Sequence, residues 1–275
     1  MTLSTGEKLG PYEIISKLGA GGMGEVWKAR DTRLDRFVAV KVLPAHIVER
    51  ADLRQRFERE ARVVASLNHP HICVLFDIGT HEGADFMVME CLEGETLAER
   101  IGKGAIPLEQ ALAIAAQIAD ALDRAHSAGV THRDVKPGNI MLTRDGVKVL
   151  DFGLATLIER DEAGDADATV AAAAPLTEVG AVLGTAAYMS PEQARGQRLD
   201  ARTDIFSLGV VLYQMIAGTL PFRGVNALDV ISSILQKEPA PLTPQVAGVP
   251  RELERLLGRH CARIASNATR RPESC

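Results

Sequence analysis

Nine residues constrain this chain more than any others: Thr131-His-Arg-Asp-Val-Lys-Pro-Gly-Asn139. A carboxylate, an ammonium and a carboxamide fall within six positions, at Asp134, Lys136 and Asn139. Pro137 and Gly138 break any helix or central strand there, so the stretch must be a loop that holds its polar groups in fixed directions. Twelve residues beyond Asn139, after the short apolar run Val147 to Leu150, comes a second carboxylate in Asp151-Phe152-Gly153. Two carboxylates, an amide and a lysine can together bind a divalent cation, accept a proton and neutralise a transferring phosphoryl group. Either half alone reads equally well as a solvated turn beside a strand. The pairing of the two favours chemistry.

Upstream, Gly19-Ala-Gly21-Gly-Met-Gly24 has the spacing G-x-G-x-x-G, which dinucleotide-binding folds share. A dinucleotide fold requires a helix to start within that loop. Here Glu25 to Arg30 alternates apolar and polar, and Tyr12 to Leu18 is also strand-like, so the glycines join two antiparallel strands. A hairpin tip without side chains brings backbone N–H groups close to phosphate oxygens. Phe37 to Val42 is a third strand that places Lys41 on the face of Ala39, where an ammonium needs an anionic partner. A helix follows with Leu53, Phe57, Val64 and Leu67 on one stripe. Glu60 lies on that stripe and Glu58 off it, so the expected partner of Lys41 is Glu60. Asn68-His69-Pro70 ends the helix, and Ile72 to Ile78 and Asp85 to Met89 read as two further strands before a linker at Glu90 to Gly94. From Glu109 to Ala128, the positions Leu112, Ile114, Ala115, Ile118, Ala119 and Leu122 make a long amphipathic helix with Gly129 at its C-terminal cap.

Taken together, these motifs resemble the signature set of the protein kinases, in particular the bacterial, eukaryotic-like serine/threonine kinases. The resemblance runs from about Tyr12 to Leu257 with the motifs in the family's order. It implies an α+β, bilobal fold: a five-stranded antiparallel sheet plus one helix in an N-lobe, and a mainly helical C-lobe. The implied boundaries are a tail at 1–11 and a kinase domain at 12–257, divided into an N-lobe at about 12–89, a hinge at 90–94 and a C-lobe at 95–257. The implied reaction is transfer of the γ-phosphate of ATP, with Mg²⁺ or alternatively Mn²⁺, to serine or threonine hydroxyls of proteins.

By position, Asp134 resembles the catalytic base, Lys136 the γ-phosphate clamp, and Asn139 and Asp151 the metal ligands. Lys41, set by Glu60, would grip the α- and β-phosphates, beneath a loop of Leu18, Gly19, Ala20, Gly21, Gly22, Met23 and Gly24. Val26, Ala39 and Met141 would sandwich adenine, Met89 would be the gatekeeper, and Glu90 and Leu92 the hinge contacts. Val64, Leu75, His132 and Phe152 would stack as a spine, which makes His132 a packing residue. The aperiodic stretch Leu154 to Leu183 resembles an activation loop, with Thr177 favoured over Thr169 as a phosphosite that Arg133 would bind. It leads into Gly184-Thr185-Ala-Ala-Tyr188-Met-Ser190-Pro191-Glu192, which resembles the peptide-docking segment and puts Thr185 near Asp134 and Lys136. Asp204, on a buried helix running to Tyr213, would brace the catalytic loop. Ala227 to Gln236 and Arg251 to Leu257 read as further helices.

After Leu257 the resemblance lapses. Cys261-Ala-Arg-Ile-Ala-Ser-Asn lacks the family's pattern and the arginine that pairs with a glutamate at the position of Glu192, with Arg270 or Arg271 a displaced substitute. Residues 258–275 are therefore expected to be an atypical tail, truncated or shifted in reading frame, or a divergent natural ending. That leaves a competing reading, an ATP-binding pseudokinase scaffold inactive through an incomplete C-lobe.

Charge and cysteine usage narrow the partners. Thirty-one basic against 36 acidic residues give a net charge of -5, which favours neither nucleic acid nor an anionic membrane. Four cysteines without a C-x-x-C pair read as reduced thiols of a cytoplasmic protein. The polar start lacks a signal-peptide core, and the most apolar run, Leu208 to Ala217, is too short to span a bilayer, so no membrane segment is expected. The expected partners are protein substrates, ATP and a second copy in a transient dimer for autophosphorylation.

Overall fold

Alternating apolar residues build a single antiparallel sheet in the N-terminal part. Its strands are β1 (Lys8–Leu9), β2 (Tyr12–Gly21), β3 (Gly24–Asp31), β4 (Arg36–Val42), β5 (Leu75–His81) and β6 (Ala84–Glu90), in the order β1-β2-β3-β4-β6-β5. The computed structural model describes residues 3–21, 24–43, 51–152, 185–243, 246 and 248–262. The five expected strands are present, and the sixth, β1, is a two-residue edge strand paired with Tyr12 and Glu13, too short for alternation to register. Residues assigned to the tail join the sheet's core: Leu3 and Leu9 are buried with Tyr12, Ile14, Trp27, Val38 and Val40. Central strand β4 buries Val38, Ala39 and Val40 in succession, and Lys41 beside them is only 5% exposed.

Helix α1 (Ala51–Ala65) turns Phe57, Ala61 and Val64 inward. These join Ile72, Leu75 and Met87 in an apolar cluster that continues without a break into the C-terminal part through Val149 and Phe152. A second sheet, β7 (Gly94–Thr96), β8 (Ile140–Thr143) and β9 (Gly146–Val149), lies at the junction, where Ile72 bridges to Val149.

The C-terminal part is helical: α2 (Leu97–Gly102), α3 (Leu108–Ser127), α4 (Pro191–Ala194), α5 (Ala201–Ala217), α6 (Ala227–Gln236) and α7 (Arg251–Ala262). The buried stripe of α3 is Ala111, Ile114, Ala115, Ile118, Ala121, Leu122 and Ala125. Leu112, expected on that stripe, is 39% exposed, because the buried stripe is centred on Ala111, Ala115, Ile118 and Leu122, which leaves the leucine at its edge. α5 is capped by the Asp200 side chain and ends at Gly218 with φ 68. Between those caps it buries residues on every side, including Thr203, Asp204, Phe206, Ser207 and Tyr213, and so forms the post of the helical lobe. The result is the expected two-lobed α+β architecture.

Candidate active site

The loop after α3 is built from α5 upward. Asp204 is fully buried and turns both carboxylate oxygens on the loop. The His132 N–H donates to Oδ2 at 2.8 Å and the Arg133 N–H to Oδ1 at 2.7 Å, while His126 Nε2 reaches Oδ2 at 2.7 Å. These bonds hold Arg133 at φ 70, a left-handed conformation that a non-glycine residue keeps only when its surroundings dictate it. His132 is fully buried, with its ring 4.7 Å from that of Phe152. Its Nε2 donates to the Leu150 carbonyl at 2.7 Å, and its Nδ1 accepts the Asp134 N–H at 3.3 Å. Both ring nitrogens are therefore committed to backbone groups, as befits a packing residue.

Asp134 emerges from this frame with 11% of its side chain exposed. Its Oδ2 accepts from Lys136 Nζ at 2.7 Å and from Asn139 Nδ2 at 2.9 Å. Asn139 Nδ2 also donates to the Asp134 carbonyl at 2.9 Å, so the amide's donor end is used up on the loop and its oxygen end is left for another ligand. The turn that permits this is Pro137–Asn139, a single 3-10 turn begun by proline, whose fixed φ suits a first helical position. Lys136 Nζ lies 3.3 Å from Thr185 Oγ1, so the docking segment, the lysine and the carboxylate meet in one place.

Across the cleft, Lys41 Nζ and Asp151 Oδ2 form an ion pair of 2.7 Å. The lysine side chain is 6% exposed and the carboxylate 19%, and Asp151 has a left-handed φ of 55. Asp151 is thus an ion-pair partner of Lys41 from the far lobe, and Glu60, the partner expected from the helical stripe, lies half-buried on α1. Around Lys41, the register pairs it with Val26 on β3 and pairs Ala39 with Met89 on β6. Ala39 is 7% exposed, and Val26, Met89, Glu90, Leu92 and Met141 are half-buried. Met141 sits opposite Lys148, whose Nζ makes a 2.8 Å ion pair with Glu90 and ties the hinge to β9. At the hairpin, Leu18, Gly19 and Ala20 are exposed, Gly21 pairs with Gly24, and Gly24 adopts φ 109. Gly22 and Met23 lie outside the described residues. Behind Met89, a cavity of about 10 Å³ is lined by Val64, Cys73, Leu75, Asp151 and Phe152, which brings three of the four expected spine residues together.

The donor set suits a hard divalent cation. One carboxylate, Asp151, and one amide oxygen, Asn139, are hard oxygen donors of the kind that would hold such a cation, with phosphate and water oxygens completing the shell. On the docking side, Ser190 and Gln193 form a reciprocal capping box at the start of α4. Glu192 has a buried oxygen, Oε2, without a hydrogen-bond partner among the described residues. Thr169, Thr177 and Arg270 or Arg271, named above for phosphorylation and for pairing with Glu192, lie outside the described residues. Two residues of the site went unrecognised in the sequence. His126 carries no local signal, and Gln193 carries only the Ser-x-x-Gln pattern of a helix start.

A two-lobed fold with a carboxylate, a lysine and an amide on one bank and an ion-paired lysine and aspartate on the other is the layout of a phosphotransferase cleft. The chain belongs to the protein kinase domain family, whose model matches residues 12–268. It is 41% identical over 262 residues to the serine/threonine-protein kinase PknB of Mycobacterium leprae, covering 93% of this chain and 40% of that protein. It is also 41% identical over 251 residues to PknA of Mycobacterium tuberculosis, covering 89% of this chain and 55% of that protein. A probable serine/threonine-protein kinase of Clostridium perfringens is 39% identical and is matched over 34% of its length, so the chain spans about a third to a half of these relatives. Among solved structures, the kinase domain of Mycobacterium tuberculosis PknI superposes with a TM-score of 0.72 at 27% identity, covering 99% of this chain and 95% of that one.

Proposed function

We propose that this chain transfers the γ-phosphoryl group of ATP to serine and threonine hydroxyls of proteins, its own activation loop among them. The observation that carries the reading is the meeting of Asp134, Lys136, Asn139 and Thr185 around a single carboxylate oxygen and a single ammonium. Bound ATP and Mg²⁺ supply the phosphoryl group and the positive charge that offsets its transfer. Asp134 Oδ2 orients the acceptor hydroxyl and takes its proton, and Lys136 Nζ, within reach of both Asp134 and Thr185, steadies the phosphate oxygens. The Asn139 amide oxygen and the Asp151 carboxylate would hold the metal. Lys41 would release Asp151 to the metal, grip the α- and β-phosphates and take Glu60 as its counter-ion. Val26, Ala39 and Met141 bound the adenine slot, with the Glu90 and Leu92 backbone at its edge.

The domain division at 12–257 and a transient dimer during autophosphorylation belong to the same reading. So does a cytoplasmic setting: no helix among the described residues is long and apolar enough to cross a membrane. The pseudokinase scaffold draws its support from the Glu192 oxygen that has no partner among the described residues. Against it stands the completeness of the Asp134, Lys136 and Asn139 constellation. The deciding experiment is incorporation of labelled phosphate from ATP with Mg²⁺ by the wild type and by Asp134→Asn, followed by phosphosite mapping. Incorporation by the wild type alone, with Thr177 or Thr169 modified, supports the kinase; equal, negligible incorporation supports the scaffold.

A further inference from the structure

The two peptide units that lead into the base are clamped from three directions. The Arg133 N–H is held by Asp204 Oδ1 at 2.7 Å. The next unit, joining Arg133 to Asp134, has its N–H on His132 Nδ1 at 3.3 Å and its carbonyl on Gln193 Nε2 at 2.7 Å. A peptide unit is planar, so fixing its oxygen and its N–H fixes the plane from which the Asp134 side chain departs. The other end of the Gln193 amide, Oε1, accepts the Ser190 N–H at 2.9 Å. The Gln193 N–H in turn donates to Ser190 Oγ at 3.2 Å, which closes the capping box. Ser190 is fully buried, and its Oγ lies 3.3 Å from Thr203 Oγ1, one residue before Asp204. Gln193 therefore spends one end of its amide on the docking segment and the other on the catalytic loop.

We propose that Gln193 is a positioning residue for Asp134: it transmits the placement of the Thr185–Ala194 docking segment to the base by fixing the Arg133 carbonyl. When the first turn of α4 is formed, the amide is oriented and the base is aimed; when that turn is lost, the strained Arg133 is free to relax. The kinetic part of this inference rests on the phosphotransfer reading above, and its structural part does not.

Gln193→Glu isolates the effect. Ser-x-x-Glu caps a helix as well as Ser-x-x-Gln does, so the Ser190 end is kept. At the other end a carboxylate oxygen now faces the Arg133 carbonyl, acceptor against acceptor. With a peptide substrate near pH 8, kcat is expected to fall by roughly tenfold to a hundredfold, the penalty of a misplaced catalytic group, while KM for ATP stays within about twofold. On acidification the substituted carboxyl takes up a proton and regains a donor, so the ratio of variant to wild-type kcat climbs towards one. A packing role would give no such recovery. Hydrogen exchange at the amides of residues 132–134, measured on the same proteins, is expected to be faster in Gln193→Glu. Unchanged exchange, an unchanged kcat, or a reduced kcat that does not recover on acidification each overturns the proposal. A wild type that transfers no phosphate sinks the phosphotransfer reading, and the exchange comparison then decides the role of Gln193 alone.

Discussion

The two banks of the cleft are held together by opposite means. On the acceptor bank, Asp134 stands on a loop whose backbone is gripped by Asp204, His132 and Gln193, and whose carboxylate is gripped by Lys136 and Asn139. On the nucleotide bank, Lys41 and Asp151 meet through one ion pair that bridges the lobes. The groups of the acceptor bank are held in fixed directions by this network, which on the proposed reading preorganises them. The nucleotide bank uses the same charges first to hold the lobes together and then, on the proposed reading, to hold phosphate and metal. Damage to the first bank should therefore appear in turnover, and damage to the second in nucleotide binding as well.

Asp134→Asn gives the sharpest separation. It keeps an oxygen to accept from Lys136 or Asn139 but removes the proton acceptor, so turnover is expected to fall about 10²- to 10⁴-fold. ATP affinity, read by calorimetry, is expected to stay within about twofold, since on the proposed reading the mutated group acts on the acceptor hydroxyl. A parallel loss of affinity would mean that the banks are not separable. Lys41→Met tests the other side. Removing a preorganised cation from a largely buried position is expected to lower kcat/KM for ATP by about 10²- to 10³-fold. Amide exchange at residues 132–134 should remain as in the wild type, because no described bond of that loop involves Lys41.

Two carboxylates on the acceptor bank sharpen the comparison through stability. Asp204 is fully buried with both oxygens accepting N–H groups, whereas Glu192 has a buried oxygen with no partner among the described residues. Asp204→Asn supplies one acceptor oxygen where two are needed, leaving a buried backbone N–H unmet at about 1–3 kcal/mol. Glu192→Gln removes a charge whose desolvation is incompletely repaid and is expected to be neutral or stabilising by up to about 1 kcal/mol. Urea midpoints of the two variants should therefore move in opposite directions, or only the first should move. A Glu192→Gln protein as damaged as Asp204→Asn would show that Glu192 has a strong partner after all.

The catalytic loop was legible because its chemistry is local. Asp134, Lys136 and Asn139 lie within six positions, and proline and glycine announce the turn that aims them. The nucleotide strands were legible because alternation is also local. What sequence reasoning lacked was distance. The Lys41 pair with Asp151 spans 110 residues and the Gln193 bond to the Arg133 carbonyl spans 60, and no periodicity connects such positions. Helical spacing can place Glu60 on the inward face of α1, but it carries no sign that Asp151 also reaches the lysine. For α3, hydrophobicity alone misplaced Leu112, because three alanines, Ala111, Ala121 and Ala125, are fully buried and carry too little hydrophobic signal to fix the face.

The smallest expected effect divides the banks by pH. Cys73, in the cavity beside Asp151, is pushed up from 9.0 to about 12 by burial and then by the carboxylates of Glu90 and Asp151, against the opposing Lys148. Tyr188, in the docking segment, is pushed up from 10.0 to about 12, chiefly by burial, while its hydrogen bond to Gln214 works the other way. Both groups lose a proton on ionising, and both do so later in the folded protein than in the unfolded chain. The unfolded state therefore releases protons first as pH rises, the native state holds more of them, and stability falls with increasing pH. The contribution is intact below the unfolded values, begins to fail first for the thiol and then for the phenol, and is gone once pH passes the folded values. Urea midpoints of the wild type should accordingly decline from about pH 9 upward, where the unfolded thiol titrates. Cys73→Ala lowers the midpoint at every pH through lost packing but should flatten the first part of that decline. Tyr188→Phe removes the buried phenol and should flatten the later part, at the expense of its 2.6 Å hydrogen bond to Gln214. If both variants kept the wild-type slope, the alkaline loss would belong to neither bank and the burial argument for these two groups would fail.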